Sequence, residues 1–456
     1  MYERDTIVAL STAPGMAAIA VIRLSGDAAV SIADKLFYGK KKISDCASHT
    51  AHFGKIIFND KLLDEVVLTL FKAPHSYTRE NIVEISCHGS TYIVQQILQA
   101  CMQSGARAAK AGEFTLRAFL NGALDLSQAE AVADLIHSES DASHQLALKQ
   151  MRGGFSSEIK MLRDELIHLA SLLELELDFS EEDVEFANRT QLTELLQRIR
   201  GYVTTLMDSF RLGNVLKSGV TTVIAGRPNA GKSTLLNALL NEDRAIVSEI
   251  PGTTRDTIEE SLNINDIRFR LIDTAGIRNA ADEIEKIGVQ KTMQKIQQSA
   301  LLVYLFDVNE LKEEEVLKDI RQLQVSDIPI IPVGNKSEER DLDELHANYH
   351  QLPDVIFLSA KNKSNLNDLK HILVEKVLSG FTKLPEVVVS NARHYDALLR
   401  TQQAIDDAQN GIEYQHSKEF IALDLRRALD ALGSIAGTVS SEDLLDNVFS
   451  RFCIGK

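Results

Sequence analysis

The run Gly226-Arg227-Pro228-Asn229-Ala230-Gly231-Lys232-Ser233 has the residue types and spacing to hold a phosphorylated ligand. Its glycines let backbone N–H groups point inward around phosphate oxygens. Lys232 is spaced to reach the β- and γ-phosphates, and the Ser233 hydroxyl to hold Mg²⁺. Thr234 continues the run. The flanking elements suit this chemistry. Val220–Ala225 reads as a short buried strand and Ser233–Leu240 as the start of a helix, whose N-terminal dipole adds to an anion site. The bland alternative is a glycine turn between strand and helix. Three further segments weigh against it.

Asp273-Thr274-Ala275-Gly276 follows the apolar-alternating strand Ile267–Ile272. An Asp at such a strand end can hold Mg²⁺ through water, and the Gly amide can sense a γ-phosphate. Asn335-Lys336-Ser337-Glu338 follows the apolar run Pro329–Val333, and Ser359-Ala360-Lys361 follows Val355–Leu358. The order resembles that of translation-factor-like small GTPases, in which Asn-Lys-x-Asp reads guanine. Here the last position is Glu338. Paired charge-assisted bonds to a base edge need close geometry, and the extra methylene weakens or displaces them. Pro251-Gly252-Thr253-Thr254-Arg255-Asp256 resembles a switch segment with Thr254 as second Mg²⁺ ligand. Ile277 stands where Ras-like proteins place a water-orienting Gln. Hydrolysis is therefore expected to be slow, or to position water by another route.

A chain of 456 residues is long enough for about three domains. Cys46, Cys87, Cys101 and Cys453 show no C-x-x-C spacing, which argues against a zinc site or disulfide framework and suits a reducing cytoplasm. No signal peptide is expected, and Leu10–Ile22 is too short to span a bilayer. The net charge of −16 excludes RNA binding through the overall field, so any RNA contact must be local or come through a partner.

Residues 1–118 mix strand-like runs (Ala18–Leu24, Lys55–Phe58, Glu65–Phe71, Ile82–Ser86) with a helix over Ile93–Met102, an α+β pattern. From about residue 119 the period becomes helical. Leu162, Leu166, Leu169 and Leu173 form one stripe; Leu192, Leu195, Ile199, Val203, Leu206 and Phe210 form another; Ile421, Leu425, Leu429 and Leu432 form a third. All read as helix core. The expected architecture is a multidomain α/β protein. An N-terminal α+β domain (1–118) precedes a helical domain in two parts (119–216 and 380–456). A Ras-like P-loop GTPase domain (217–379), a parallel sheet flanked by helices, is inserted between them.

The whole chain resembles the MnmE (TrmE) family of tRNA-modifying GTPases. The likeness rests on Asp5-Thr6-Ile7-Val8-Ala9, Ile22-Arg23-Leu24-Ser25-Gly26, Gly112-Glu113-Phe114-Thr115 and Arg117-Ala118-Phe119-Leu120-Asn121. It continues through Leu124-Asp125-Leu126, Gln128-Ala129-Glu130-Ala131, Asp134-Leu135-Ile136, the GTPase block and the tail Phe452-Cys453-Ile454-Gly455-Lys456. The resemblance implies a cytoplasmic homodimer that works with a flavoprotein, MnmG, which carries FAD and a nicotinamide cofactor. Together they add an aminomethyl or carboxymethylaminomethyl group to C5 of the wobble uridine of certain tRNAs. The one-carbon unit comes from 5-formyl- or 5,10-methylene-tetrahydrofolate, bound by the N-terminal domain. G-domain pairing and K⁺ activate GTP hydrolysis.

Residue by residue, the resemblance assigns folate contacts to Arg23, Glu84 and Lys456; Ala123 stands where the family commonly has a Lys and cannot supply a cation. Asn229, Ser248, Ile250 and Thr253 match the K⁺ shell, partly through carbonyls, which can replace an ion's hydration. That ion would supply charge where other GTPases use an arginine finger. Glu285 matches a water-orienting glutamate acting through a bridging water. Cys453 is expected to fold back with the tail toward the folate site, as nucleophile or general acid–base. Two rivals stay open: a ribosome-assembly or regulatory GTPase acting as a switch, and a folate-dependent one-carbon transferase whose GTPase block is ornamental. The segments outside 217–379 disfavour the first, and the Lys232, Ser233, Thr254 and Asp273 set the second.

Overall fold

In a computed structural model of the chain, the described residues are 5–178, 189–242, 259–273, 296–297, 299–324, 328–379, 387–439, 442–450 and 452–455. They form two compact units: residues 1–136, 149–200 and 397–456 in one, and 137–148 and 201–396 in the other. Helices are numbered along the chain as α1 (Ala29–Leu36), α2 (Thr91–Gln103), α3 (Glu113–Leu120), α4 (Leu126–Ile136), α5 (Asp141–Met151), α6 (Gly154–Asp178), α7 (Arg189–Ser218) and α8 (Lys232–Glu242). They continue as α9 (Glu313–Leu323), α10 (Leu342–Asn348), α11 (Leu366–Leu378), α12 (Ala392–Glu413), α13 (Lys418–Ala436) and α14 (Glu442–Phe449).

The first unit is built on seven strands: β1 (Ile7–Leu10), β2 (Ala17–Ser25), β3 (Phe37–Gly39), β4 (Thr50–Phe58), β5 (Lys61–Phe71), β6 (Ile82–Gly89) and β7 (Arg107–Ala108). Their order is β3-β4-β5-β6-β2-β1-β7, antiparallel except for the parallel β1–β7 pair. Side chains alternate along a strand. In β2, Ala20, Ile22 and Leu24 are buried, and with Ile85, Leu68 and Ile97 they join the core that α1 and α2 cover. Arg23 falls on the other face and sits opposite Glu84 of β6. In the helical part α6 packs on α13.

The second unit holds six strands: β8 (Val220–Ala225), β9 (Glu259–Ile264), β10 (Ile267–Asp273), β11 (Leu301–Asp307), β12 (Ile330–Asn335) and β13 (Ile356–Phe357). Their order is β13-β12-β11-β8-β10-β9, parallel except for the antiparallel β9–β10 pair. Every residue of β11 is buried, as expected for a central parallel strand covered on both faces. Leu235 and Leu239 of α8 and Leu369 and Leu373 of α11 pack in the sheet's core. Asp273 and Asn335 are the last residues of β10 and β12, and the phosphate loop follows β8. The carboxyl ends of parallel strands are where such sheets bind ligands.

The chain is thus multidomain α/β, with an α+β N-terminal sheet, a helical part and a P-loop sheet. Three expectations need correction. In α13 the buried stripe runs Ile421, Leu425, Ala428 and Leu432, with Leu429 only half-buried. Helix begins at Glu113 rather than near 119. In α7 the buried stripe is Leu192, Leu196, Ile199, Val203 and Leu206, with Leu195 only half-buried, because 3.6-residue periodicity let either leucine complete the face.

Candidate functional site

The phosphate loop is shaped by two glycines that tolerate no side chain. Gly226 has φ +155°, and a Cβ there would overlap the Leu305 carbonyl of β11; Gly231 has φ +95°, and a Cβ would overlap Asn335 Nδ2. Asn229 lies exposed between them in the left-handed region, φ 62°. Helix α8 begins at Lys232, so its first-turn N–H groups face the loop. Lys232 Nζ donates to the carbonyls of Gly226 at 2.9 Å and Arg227 at 3.0 Å. Ser233 and Thr234 are exposed on the first turn, and Ala230 is buried beneath it.

Asn335 joins this loop to the Ser359–Lys361 segment. It is buried; its Nδ2 donates to the Ala230 carbonyl at 2.8 Å, and its Oδ1 accepts the Ala360 N–H at 3.0 Å. Lys336 Nζ pairs with Asp307 at 2.6 Å. Burial works to raise the Asp307 pKa, but the bonds from Lys336 and Asn309 hold it below its ordinary value. Ser359 is buried and accepts the Asn362 N–H at 3.1 Å, while Lys361 and Glu338 are exposed. A glycine cradle, a helix N-terminus, a lysine and a serine at the loop's end fit a nucleoside triphosphate with Mg²⁺. The Asp273 backbone pairs with Ile224 beside the loop. Ser248, Ile250, Thr253, Thr254, Thr274, Ala275, Gly276, Ile277, Glu285 and Lys456 lie outside the described residues.

In the first unit, Arg23 Nε donates to Glu84 Oε1 at 2.9 Å, and the pair is half-buried. The guanidinium also lies 5.6 Å from the Tyr77 ring centre and 5.7 Å from that of Phe114, within cation–π range. Tyr77 shares a 2.8 Å hydroxyl contact with Thr115, and burial pushes its pKa up. Phe114 is fully buried, so the groups with open surface are a cation, a carboxylate and the Tyr77 ring, which suit a planar heteroaromatic ligand bearing carboxylates. Ala123 is half-buried, and its N–H donates to the Ala118 carbonyl at 2.8 Å. The same unit holds a charge network. Arg117 donates to Asp5 at 2.6 Å, to Glu113 at 3.1 Å and to Glu80 at 3.2 Å, and Arg107 binds Asp5 and Glu113 from the other side. Sequence reading missed Tyr77 and this network, whose members lie up to 112 residues apart.

The tail docks on the same sheet. Ile454 bridges Ala111, the Gly112 N–H donates to the Cys453 carbonyl at 3.4 Å, and Ser11 Oγ donates to the Gly455 carbonyl at 3.2 Å. Ser11 follows β1, in which Ala9 pairs with Arg23. Cys453 is exposed; Cys46, Cys87 and Cys101 are buried.

A family profile described as the MnmE helical domain matches residues 126–453, and one described as the N-terminus of GTP-binding protein TrmE matches residues 6–123. A tRNA modification GTPase MnmE of Cytophaga hutchinsonii is 53% identical over 99% of this chain and 98% of the relative. Its counterpart in Flavobacterium psychrophilum is 51% identical over 100% of both chains. The chain belongs to the MnmE family of tRNA modification GTPases. The chain is therefore a GTP hydrolase that takes part in tRNA modification. Among solved structures, a point variant of Aquifex aeolicus Era bound to GDP.AlF4- aligns at 26% identity with a TM-score of 0.29, over 41% of this chain and 66% of that one. Among the described residues no helix is long and apolar enough to cross a membrane.

Proposed function

We propose that this GTPase acts, as a cytoplasmic homodimer with a flavoprotein of the MnmG kind, on C5 of the wobble uridine of certain tRNAs. The group added is aminomethyl or carboxymethylaminomethyl, with a tetrahydrofolate derivative as one-carbon donor. FAD and the nicotinamide cofactor belong to the partner. The observation that carries this reading is the seating of the Cys453 tail one strand from the Arg23–Glu84 pair. A folate pterin and its carboxylates match the aromatic, acidic and basic groups there. The domain division is 1–118, 119–216, 217–379 and 380–456, the third inserted into a helical domain.

In hydrolysis Lys232 offsets phosphate charge, Ser233 and Thr254 hold Mg²⁺, and Asn229 with Ser248, Ile250 and Thr253 holds K⁺. Glu285 orients water through a bridging water, since Ile277 cannot. Asn229 supports the K⁺ assignment in one respect: its exposed carboxamide is carried at a left-handed turn of the loop. Phe53, which faces Val67 across β4–β5, exposes an apolar patch on the N-terminal sheet that supports pairing of two copies. The deciding measurement is tRNA nucleoside mass spectrometry of cells lacking this protein. Loss of the C5-substituted wobble uridine is expected, and an unchanged profile overturns the reading. GTPase rate should also rise steeply when Na⁺ is replaced by K⁺, and Asn229→Ala should abolish that response; equal rates in the two salts refute the K⁺ assignment.

A further inference from the structure

Arg227, the second residue of the phosphate loop, is tied to helix α9. Its Nε donates to Asp319 Oδ2 at 2.7 Å, its Nη2 to Asp319 Oδ1 at 3.2 Å, and its Nη1 to Glu315 Oε1 at 3.3 Å. Two parallel bonds to one carboxylate fix orientation as well as distance. Asp319 is itself held from behind, because the buried Tyr304 hydroxyl donates to Oδ2 at 2.5 Å. Burial works to raise the Asp319 pKa, but the Arg227 and Tyr304 bonds outweigh it and keep the carboxylate charged. Tyr304 belongs to β11 and pairs with Ala225, the residue before the loop, while Leu305 backs Gly226. Strand, helix and loop thus close a ring of contacts around the loop's first turn.

That turn has a second duty. The carbonyls of Gly226 and Arg227 both accept Lys232 Nζ. The residue whose side chain is clamped is the one whose main chain seats the phosphate-binding lysine. We propose that Arg227, clamped by Asp319 and Tyr304, is a positioning residue that holds the first turn of the phosphate loop and thereby slows nucleotide release. It acts through the loop backbone. Its guanidinium is committed to α9, so a direct role on the phosphates is the competing account. Simple bracing of the fold is the other.

Asp319 separates the three accounts, because it reaches the loop through Arg227. Release of a fluorescent GDP analogue, KM and kcat for GTP, and the thermal midpoint are measured on the full chain for Arg227→Gln, Asp319→Asn and the double variant. The clamp predicts that either single change speeds GDP release about fivefold, the scale of a well-oriented ion pair that is partly exposed. Asp319→Asn should raise KM with kcat held within about twofold. The double variant should be no faster than the singles, since the two residues share one interaction. Arg227→Lys, which keeps charge but not the fork, should fall between. If Arg227→Gln cuts kcat while Asp319→Asn changes nothing, the arginine works on the phosphates and the proposal fails. If both lower the thermal midpoint and leave GDP release unchanged, the clamp only braces the fold and the proposal also fails.

Discussion

Asn335 Nδ2 lies where a Cβ on Gly231 would have to go, and from there it donates to the Ala230 carbonyl at 2.8 Å. One buried amide therefore sets both the residue permitted in the loop and the loop's distance from the Ser359–Lys361 segment. Gly231→Ala should fail on two counts, overlap with Asn335 and a positive φ that costs on the order of 1 kcal/mol for a side chain. Asn335→Ala leaves the Ala230 carbonyl and the Ala360 N–H unpaired in the interior, at about 1–3 kcal/mol each. Both variants should lose GDP binding by isothermal titration. Wild-type affinity in Asn335→Ala would show the link to be dispensable.

Glu338 is exposed, three residues beyond Asn335. An aspartate there would bring the carboxylate one methylene closer to its backbone. Glu338→Asp should tighten GDP binding, by at most about 100-fold, because a poorly paired polar contact costs on the order of 1–3 kcal/mol. Titration that finds equal or weaker binding would mean the loop already suits the longer side chain.

Legibility in the sequence followed the range of the interactions. The strand Val220–Ala225 and the loop after it were readable because a buried parallel strand and a glycine turn leave local marks. Strand β1, only four residues long, and helix α1, with no side-chain cap, leave only weak ones. The pairs Arg227–Asp319 and Arg117–Asp5 were unreadable for another reason. Each joins residues about a hundred positions apart, 92 in one case and 112 in the other, and no periodicity reports on them. The Arg23–Glu84 pair came from family likeness, and the fold then placed it in register across β2 and β6.

The Asp5–Arg107–Glu113–Arg117 network predicts acid sensitivity of the N-terminal sheet. Hydrogen bonding to Arg107 chiefly lowers the Asp5 pKa. For Glu113, burial works to raise the value, but bonds from Arg107, the Lys110 N–H and Arg117 hold it below normal. Depressed folded-state values mean stability that is fully present above the unfolded carboxylate pKa, about 4, and lost as pH falls through the folded values. Amide exchange in β1 and β7 should therefore accelerate as pH drops below about 4, after correction for intrinsic rates. Arg117→Met leaves buried Glu113 with one fewer cation and should cost about 3 kcal/mol at neutral pH. Exchange rates that match wild type in that variant would count against the network.

The tail gives the sharpest separation of chemistry from packing. Phe452 is buried beside Phe449, with ring centres 5.3 Å apart, whereas the next residue, Cys453, is exposed. Burial pushes the Cys87 thiol up to about 11 and Cys101 up to about 12, so neither forms thiolate near neutrality. Cys453 is the accessible thiol among the four, so maleimide on the folded protein should label it well ahead of the three buried cysteines. Cys453→Ser removes the thiol and keeps the backbone contacts to Gly112 and Ala111. It should retain folding, folate binding and GTP hydrolysis yet lose tRNA modification. Gly455→Ala attacks the seating instead: φ is +102° and a Cβ would overlap the Leu10 carbonyl, so the tail must leave β1. That variant should lose modification and also weaken folate binding, measured by fluorescence titration, with GTPase rate intact. Full modification by Cys453→Ser together with loss in Gly455→Ala would leave the tail a packing role and no chemical one.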